Sequence, residues 1–378
     1  MRDELQELAA ELVAIESVNP DLVAAGAGEE AIARFVAGWA ERAGLETTLE
    51  EVAPGRWNAL AVARGSGGGR TLLLNAHMDT VGTAGMQDPL EPRVEGGRMY
   101  GRGAFDMKAS LAAILLAAAR ARELGLRGDV VVAAVADEEV ASVGSAAVAR
   151  ALRPDAAIVA EPTEERLALA HRGFVWLEIE TTGVAAHGSR PDLGVDAIAK
   201  TGRILTGIEE LDRSLRQDAS HALLGSGSLH ASLIEGGAGL STYPDRCVVR
   251  AERRTIPGET RESVEAELRG VIERAKEADP ELRAEARAMF VREPFELDGT
   301  AEIVDVTRRA AAGALGREPD VVGVPFWTDA AIFAAAGIPT VVFGPVGEGA
   351  HADVEWVDLD SAARCAGAYL AVAAELCA

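Results

Sequence analysis

The sequence predicts an α/β protein in which a domain built on a mainly parallel sheet is interrupted by a second, α+β domain. Short continuous apolar segments alternate with helical segments, a pattern typical of parallel strands that are covered on both faces. A central segment instead alternates apolar and polar residues, as half-exposed antiparallel strands do. The 378 residues are enough for two or three domains of ordinary size.

The first domain begins with helical periodicity over about residues 3–16 and 27–43. A hairpin-like segment through Asn58–Ala63 follows and leads into the glycine-rich turn Gly65–Gly69. This turn lacks the Lys-Ser/Thr pair and the spacing of a phosphate loop, so we interpret it as a plain connection. The buried strands are predicted at 71–76, 130–136, 156–160 and 340–343, with a helix at 108–124.

The central segment has the order strand–helix–strand–strand–helix–strand, which predicts a ferredoxin-like domain inserted into the first. Its alternating strands are predicted at 175–183, 247–255 and 283–292, and its helices at 196–211 and 259–278. The predicted boundaries are therefore 1–171 for the first part of the catalytic domain, 172–292 for the insertion, and 293–378 for the second part.

The balance of charge argues against two classes of partner. The chain carries 37 Lys and Arg against 60 Asp and Glu, a formal net charge of −23. Phosphate-rich partners are repelled by such a surface, so we expect neither nucleic acid nor anionic membrane to bind. Most of these acids are expected to be solvated surface residues.

The cysteines and the apolar segments bear on the compartment. Cys247, Cys365 and Cys377 form no CxxC pair and are odd in number, which argues against a disulfide framework or a thiolate zinc site. The N-terminal residues alternate charged and apolar types and lack the block of a signal peptide. The apolar stretch Ala109–Ala121 is too short to span a bilayer. We therefore expect a cytoplasmic protein.

Histidines and carboxylates follow the four predicted buried strands, at the sheet edge where ligands bind in open α/β folds. Taken singly, each is as well explained as a surface or helix-capping residue. Together they suit zinc or a similar cation. The residues are His77 and Asp79 after the first strand, Glu138 and Glu139 after the second, Glu161 after the third, His351 beyond the fourth, and Asp106 before the helix at 108–124.

This set is large enough for two divalent ions. Two histidines and three carboxylates, one of them bridging, give each ion three protein ligands and leave a position open for water. Glu138 is next to a ligand and is then available as a general base. That arrangement matches two-metal hydrolysis, in which a shared water is the nucleophile and the ions polarise a carbonyl group.

Five segments occur in the order found in a known family: NAHMDTVG, GRGAFDMKAS, ADEEVASVGS, AEPTE and GAHADVEWV. The chain thereby resembles, over essentially its whole length, the family of acetylornithine deacetylase, succinyl-diaminopimelate desuccinylase, aminoacylase and glutamate carboxypeptidase. The resemblance implies a zinc-exopeptidase-like catalytic domain and a lid or dimerisation domain. It also implies two zinc ions, with cobalt or manganese as alternatives, and a homodimer.

The resemblance implies a role for each residue of the strand-end set. His77 and Glu161 match ligands of the first metal, and His351 and Glu139 match ligands of the second. Asp106 matches the bridging aspartate, which precedes a cis peptide bond in the family. The other two residues match the catalytic positions, Glu138 as general base and Asp79 as the aspartate that orients the site.

The insertion and the C-terminal loop supply the remaining candidates. His187 matches a histidine that reaches the partner subunit's site and donates to the oxyanion, the alternative being a turn histidine. Arg254, with Arg253 as its neighbour, matches an arginine that binds the substrate carboxylate. Thr242 stands where many members have asparagine, which leaves its substrate contact open. Gly344 lies in a loop whose amides either face substrate or form an ordinary turn.

The resemblance implies hydrolysis of the amide bond of an N-acyl amino acid by a metal-bridging water, within amino-acid metabolism. A dipeptidase or glutamate carboxypeptidase is the alternative, because the metals interact only with the amide. A non-catalytic dimeric binding protein of the same fold is a more distant alternative. Such a protein is expected to lack a ligand or the base, and here none is missing.

Overall fold

The computed structural model describes residues 1–378 and confirms the α/β fold class. The helices are α1 Arg2–Val13, α2 Glu30–Arg42, α3 Ala109–Arg122, α4 Val143–Ala151, α5 Ala197–Gln217, α6 Arg261–Ala278, α7 Glu302–Leu315, α8 Ala330–Ala335 and α9 Leu359–Leu376. The first nine strands are β1 Glu46–Ala53, β2 Arg56–Ala63, β3 Leu72–His77, β4 Arg93–Glu95, β5 Arg98–Tyr100, β6 Val130–Val135, β7 Ala156–Val159, β8 Leu167–His171 and β9 Gly173–Thr182. The remaining strands are β10 Ser228–Gly236, β11 Arg246–Thr255, β12 Arg283–Arg292, β13 Phe295–Glu296, β14 Val321–Val324, β15 Thr340–Val342, β16 Gly347–Glu348 and β17 Trp356–Asp358.

The chain divides into two compact units. Unit 1 comprises Met1–Leu169, Leu297–Val322 and Thr328–Ala378, and unit 2 comprises Ala170–Glu296 and Gly323–Trp327. The last of these segments differs from the sequence-based expectation, which assigns it to the second part of the catalytic domain. Its place in unit 2 has a clear packing reason, because the Trp327 ring makes an edge-on contact with the ring of His171.

The sheet of unit 1 contains the strand order β1-β2-β6-β3-β7-β15. Strand β3 pairs in parallel with β6 and β7, and β15 pairs in parallel with β7. Every residue of β3 and β6 is buried, as expected for strands covered on both faces. The carboxyl ends of β3, β6, β7 and β15 therefore lie along one edge of the sheet.

Helix α3 is the most deeply buried helix beside this sheet. Its sequence ASLAAILLAAARAR is apolar on all sides until the last turn, and only Ala119, Arg120 and Arg122 escape full burial. A helix that is apolar all round belongs in a core, and α3 packs against α1 and α9. No helix in the chain is both long enough and apolar enough to cross a bilayer.

Unit 2 contains an antiparallel sheet of order β10-β11-β9-β12, with α5 and α6 on one face. Asp196 caps α5 by accepting a hydrogen bond from the Ala199 amide. The sequence predicts that this helix ends at residue 211, but it continues to Gln217. Leu211 and Leu215, four residues apart on one face, both pack against the core of unit 2 and so extend the helix.

Several elements have no counterpart in the sequence-based prediction. A small antiparallel sheet of order β16-β17-β5-β4 lies in unit 1, and its strands are only two or three residues long. Strands this short show no detectable period of two, which explains why they are missed. The other elements without predicted bounds are helices α4, α7, α8 and α9 and strands β1, β8, β10, β13 and β14.

Candidate metal centre and active site

The strand-end residues of unit 1 meet at the edge that the sequence predicts. His77 is the last residue of β3, and the residues after β6 and β7 face it. Asp106 lies in a kinked, non-helical turn before α3, and His351 lies in the loop between β16 and β17. The structure therefore brings together His77, Asp106, Glu138, Glu139, Glu161 and His351.

Asp106 lies between the two histidines. Its Oδ1 is 2.9 Å from His77 Nε2, and its Oδ2 is 3.4 Å from His351 Nε2. On the first side, His77 Nε2 is also 3.7 Å from Glu161 Oε1. On the second side, His351 Nε2 is 3.1 Å from Glu139 Oε2. The cluster thus has two halves that share one carboxylate.

These distances fit the ligand sets of two ions. Ligand atoms bound to a tetrahedral zinc ion at about 2.0–2.1 Å lie about 3.3 Å from one another. The four distances in the cluster range from 2.9 to 3.7 Å, on either side of that value. Two overlapping groups have ligand atoms within 4.8 Å of one another and could hold a metal ion: His77 with Glu138 and Glu161, and His77 with Asp106 and Glu139.

The carboxylates of the cluster lack the cationic partners that buried acids normally have. Burial raises the pKa of Glu138 and of Glu161. The charge of Glu161 raises the pKa of Glu138 further, and the charge of Asp106 raises that of Glu161. Burial also raises the pKa of Glu139, although the hydrogen bond from His351 opposes that shift. No Lys or Arg forms an ion pair with these three groups, so divalent cations are the natural source of compensating charge.

The pKa shifts of the two histidines and of Asp106 favour the charged form of each group, whereas those of the glutamates favour the neutral form. Burial opposes a charge on His77, but the hydrogen bond to Asp106 and the charge of Glu161 raise its pKa well above the ordinary value. Hydrogen bonds to Asp106 and Glu139 raise the pKa of His351 to about 10. Burial favours protonation of Asp106, but the hydrogen bonds from His351 and His77 outweigh it and lower the pKa of Asp106.

Asp79 is fully buried and orients both sides of the cluster. Nδ1 of His77 donates to the Asp79 main-chain oxygen at 2.9 Å, which leaves Nε2 of the neutral ring free to bind a cation. The Asp79 carboxylate accepts hydrogen bonds from the amides of Glu138 at 3.1 Å and Glu139 at 3.2 Å. One side chain therefore fixes the turn after β6 relative to β3.

Asn19 supports Asp79 and was not identified from the sequence. Its side-chain amide donates to Asp79 Oδ2 at 2.7 Å and to Asp137 Oδ1 at 3.1 Å. Asp137 has a positive φ of 71° just before the Glu138–Glu139 pair, and Arg56 lies 2.9 Å from its carboxylate. A positive φ is rare for a residue other than glycine, and these contacts hold it in place. The only sequence signal was the Asn19-Pro20 turn pair.

Glu355 is the second residue missed from the sequence. Its carboxylate is fully buried and accepts backbone hydrogen bonds from Gly103 at 3.0 Å, Phe105 at 2.9 Å and Asp106 at 3.0 Å. Arg102 pairs with the same carboxylate at 2.7 Å. Glu355 thereby shapes the turn that presents Asp106. Its place four residues after His351, in a segment already singled out, was the available signal.

The backbone beside Asp106 also has the form that the family resemblance implies. The peptide bond from Asp106 to Met107 is cis. The His351 backbone has a positive φ of 63°, which its loop imposes between two short strands.

His187 and Thr242 lie together in unit 2. They form an isolated antiparallel bridge, and both are exposed. The backbone N–H of Ser189 donates to His187 Nδ1 at 3.2 Å, so Nδ1 of the neutral ring is the acceptor. The proton of the neutral ring then lies on Nε2, which is available to donate to another molecule.

Arg253 and Arg254 differ sharply in their surroundings. Arg253 is fully buried, and its five N–H groups donate to Glu259, Glu267 and the Arg254 carbonyl oxygen. This corrects the prediction for Arg253, because a guanidinium with no remaining donor cannot bind a substrate carboxylate. Arg254 is partly exposed and pairs only through Nε, which donates to Glu252 at 2.7 Å.

Gly344 also departs from the prediction of a substrate-facing amide. Its N–H donates to Thr163 Oγ1 at 2.9 Å, and the residue is buried. An added Cβ would lie 2.2 Å from the Glu161 carbonyl oxygen, so glycine is required by close packing of two chain segments. The turn interpretation of this loop is the one that fits the structure.

An α/β sheet that gathers histidines and unpaired carboxylates at its carboxyl edge defines a metal-dependent hydrolase as the class of protein. The sequence profile of the family described as Peptidase family M20/M25/M40 matches residues 73–375. The chain belongs to this family and is a hydrolase.

Relatives with curated names agree with this assignment. An acetylornithine deacetylase from Myxococcus xanthus is 32% identical over 336 residues, which cover 87% of this chain and 86% of the relative. An N-formyl-4-amino-5-aminomethyl-2-methylpyrimidine deformylase from Bacillus subtilis is 27% identical over 380 residues, covering 91% and 87%. Both names describe the removal of an acyl group from nitrogen.

Solved structures share the fold. Aminopeptidase PepT from Bacillus cereus superposes with a TM-score of 0.80 at 20% identity, covering 100% of this chain and 99% of that one. A dinuclear metal-binding peptidase of the M20 family from Bacillus subtilis superposes with a TM-score of 0.78 at 18% identity, covering 100% and 98%. At this level of identity the likeness concerns the fold alone.

Proposed function

We propose that the protein hydrolyses the amide bond of an N-acyl amino acid and uses two divalent metal ions. One observation carries the proposal: Asp106 faces His77 on one side and His351 on the other, beside buried carboxylates that have no Lys or Arg partner. The acetylornithine deacetylase names among the relatives support a deacylase over the alternative of a dipeptidase or carboxypeptidase.

The donor set suits zinc, with cobalt and manganese as alternatives, because it mixes imidazole nitrogen with carboxylate oxygen and contains no thiolate. His77, Asp106 and Glu161 hold the first ion, and His351, Asp106 and Glu139 hold the second. When bound, such ions polarise an amide carbonyl and lower the pKa of a coordinated water.

Glu138 is the proposed general base. Its side chain lies within ligand distance of His77 and Glu161, but the two proposed ligand sets are complete without it. Its pKa is raised by burial and by the charge of Glu161, which brings it toward the range where a carboxylate both accepts and returns a proton. Glu138 takes a proton from the attacking water and delivers it to the leaving amine.

Three residues of unit 2 complete the proposed chemistry. His187 donates from Nε2 to the oxyanion that forms on the attacked carbonyl, in the site of a partner subunit. Arg254 binds the substrate carboxylate through its terminal nitrogens, with the Thr242 hydroxyl as an additional donor. We assign unit 2 as the lid and dimerisation domain on these grounds.

The replacement Glu138→Gln tests the assignment. We expect turnover of an N-acetyl amino acid to fall by about 10²–10⁴-fold, because glutamine cannot accept the proton, while metal content stays the same. Glu123→Gln, at an exposed residue outside the site, is the matched control. Wild-type turnover in Glu138→Gln would remove Glu138 from the mechanism.

A substrate panel with and without a chelator tests the reaction class. The panel contains N-acetylornithine, N-succinyl-diaminopimelate, other N-acetyl amino acids and several dipeptides. We expect chelation to abolish activity and zinc, cobalt or manganese to restore it. Exclusive cleavage of dipeptides would select the peptidase alternative, and activity that survives complete removal of metal would overturn the proposal.

A further inference from the structure

One face of the unit 2 sheet carries α5 and α6, and the opposite face carries a cluster of aromatic rings. Phe174 and Trp176 are alternate residues of β9 and so point to the same side of the sheet. Phe290 of β12 is directly opposite Trp176 in the strand register. The three rings form one group, which we call the aromatic platform.

The rings of the platform are in mutual contact. The centroid distances are 5.5 Å for Phe174–Trp176, 5.2 Å for Trp176–Phe290 and 6.0 Å for Phe174–Phe290. Trp176 is nevertheless 46% exposed. Aromatic residues are only 4% of this chain, so three contacting rings on an open sheet face are an unusual concentration of apolar contact area.

Two arginines flank the platform. Arg254 of β11 and Arg292 of β12 are both directly opposite Phe174, one on each side, and so share its face. The Arg254 guanidinium lies 4.9 Å from the Phe174 centroid, and that of Arg292 lies 4.8 Å from the Phe290 centroid. The rings thus hold both cations flat against the sheet.

A single carboxylate fixes this arrangement. Glu252 accepts from Arg254 Nε at 2.7 Å and from Trp176 Nε1 at 3.0 Å. The terminal nitrogens of Arg254 are left without a protein acceptor. A third arginine, Arg172, lies close enough that the charge of Arg254, after burial, lowers its pKa.

We propose that the platform recognises the substrate's side chain and selects N-acyl amino acids with an aromatic or similarly planar apolar side chain. This rests on the proposed function, in which Arg254 binds the substrate carboxylate. Arg254 and Arg292 cover the faces of Phe174 and Phe290, so the ring that remains open is the exposed Trp176. A carboxylate held by the Arg254 terminal nitrogens brings the adjoining side chain to Trp176, which shares the Glu252 carboxylate with Arg254. An ornithine side chain presents less apolar surface to the rings than an aromatic side chain does.

The test compares kcat/KM for N-acetylphenylalanine, N-acetylalanine and N-acetylornithine. We expect the phenylalanine derivative to be preferred, and Trp176→Ala to lower the phenylalanine-to-alanine ratio about tenfold through lost ring contact. Trp176→Phe should keep most of the ratio. The matched control is Trp57→Ala in unit 1, whose ring also lies beside an arginine, Arg34 at 5.2 Å, and this variant should leave the ratio unchanged.

Calorimetric titration with 3-phenylpropionate and with propionate gives a readout that does not depend on catalysis. We expect tighter binding of 3-phenylpropionate, weakened about tenfold by Trp176→Ala. Equal affinity for the two acids would overturn the platform proposal, and so would a Trp176→Ala variant whose ratio of affinities matches that of the wild type. If N-acetylalanine is still hydrolysed, either result leaves the proposed function intact. No hydrolysis of any amide, with 3-phenylpropionate binding intact, would overturn the proposed function and leave the platform as a carboxylate-binding site.

Discussion

Two buried carboxylates, Asp79 and Glu355, fix the backbone on which the proposed ligands stand. Each accepts several hydrogen bonds, from the amides of Glu138 and Glu139 in one case and from the turn before Asp106 in the other. Hydrogen bonds to a charged acceptor contribute about 1.5–3 kcal/mol each. Residues that never contact substrate thus determine where the catalytic groups lie.

Glu355→Gln tests this role. Glutamine loses the ion pair with Arg102 and turns one acceptor into a donor that faces backbone N–H groups. We expect the free energy of unfolding to fall by about 3–5 kcal/mol, as when one partner of a buried ion pair is removed. We also expect weaker metal binding.

Chemical denaturation and metal titration measure the two effects of Glu355→Gln. Glu348→Gln, in the same loop region but exposed, is the control. Wild-type stability and metal affinity in Glu355→Gln would show that the turn before Asp106 does not depend on this carboxylate.

Asn19 is expected to act through Asp79 and Asp137. Asn19→Ala removes the hydrogen bonds to both carboxylates, and the one that Asn19 Oδ1 accepts from the Asp21 amide. It should lower activity or metal affinity about 10–100-fold. Asn19→Asp should lower it further, since a third carboxylate then faces the other two. Steady-state kinetics at saturating metal separates a loss of turnover from a loss of metal affinity. Full activity in Asn19→Asp would contradict the proposed role of Asn19 in supporting Asp79 and Asp137.

At the scale of single elements, β10 is a long edge strand with apolar residues in solvent. Leu233 and Ile234 are 56% and 54% exposed. Such an edge offers unpaired backbone groups to a second chain, and soluble proteins normally protect it. A homodimer formed through β10 satisfies this edge, in agreement with the proposed contribution of His187 to a partner subunit's site.

The double replacement Leu233→Lys with Ile234→Lys should convert that dimer into a monomer, because it places four charges at a two-fold interface. Light scattering after gel filtration measures the mass. Leu124→Lys, at a residue 51% exposed in unit 1, is the control and should remain dimeric. A wild-type mass of one subunit would count against both the dimer and the trans role of His187.

At the scale of the whole molecule, metal binding and proton binding are coupled. In the metal-free protein the pKa of His351 is raised to about 10 and that of His77 is raised well above 6.5. Both rings therefore carry protons at neutral pH, whereas a metal ligand must be neutral. Metal affinity should rise between pH 6 and 8, with release of protons.

Calorimetry in two buffers with different heats of ionisation counts the released protons. The raised pKa of His351 also contributes stability to the metal-free protein that is fully present below pH 6.5 and lost as the pH rises through about 10. The metal-free Tm should fall across that window, and the metal-loaded Tm should not follow it. A metal affinity that decreases from pH 6 to 8 would refute the ligand assignment to these histidines.

The local pattern of the sequence was enough for much of the fold and of the candidate site. Buried strands such as β3 and β6 are apolar along their whole length, and the residues after them carry histidine and carboxylate side chains. Because parallel strands end at one edge of a sheet, that pattern predicts a shared site before any contact is known. Alternation of apolar and polar residues likewise predicts three of the four strands of the unit 2 sheet, β9, β11 and β12.

Only the tertiary structure decided which of two adjacent residues is available and which distant residues support the site. Arg253 and Arg254 are identical in type, and burial against Glu259 and Glu267 alone separates them. Glu355 lies 249 residues from Asp106 in the chain, yet it holds that residue's amide. Contacts of this kind depend on packing between distant segments, which leaves no periodic signal in the sequence.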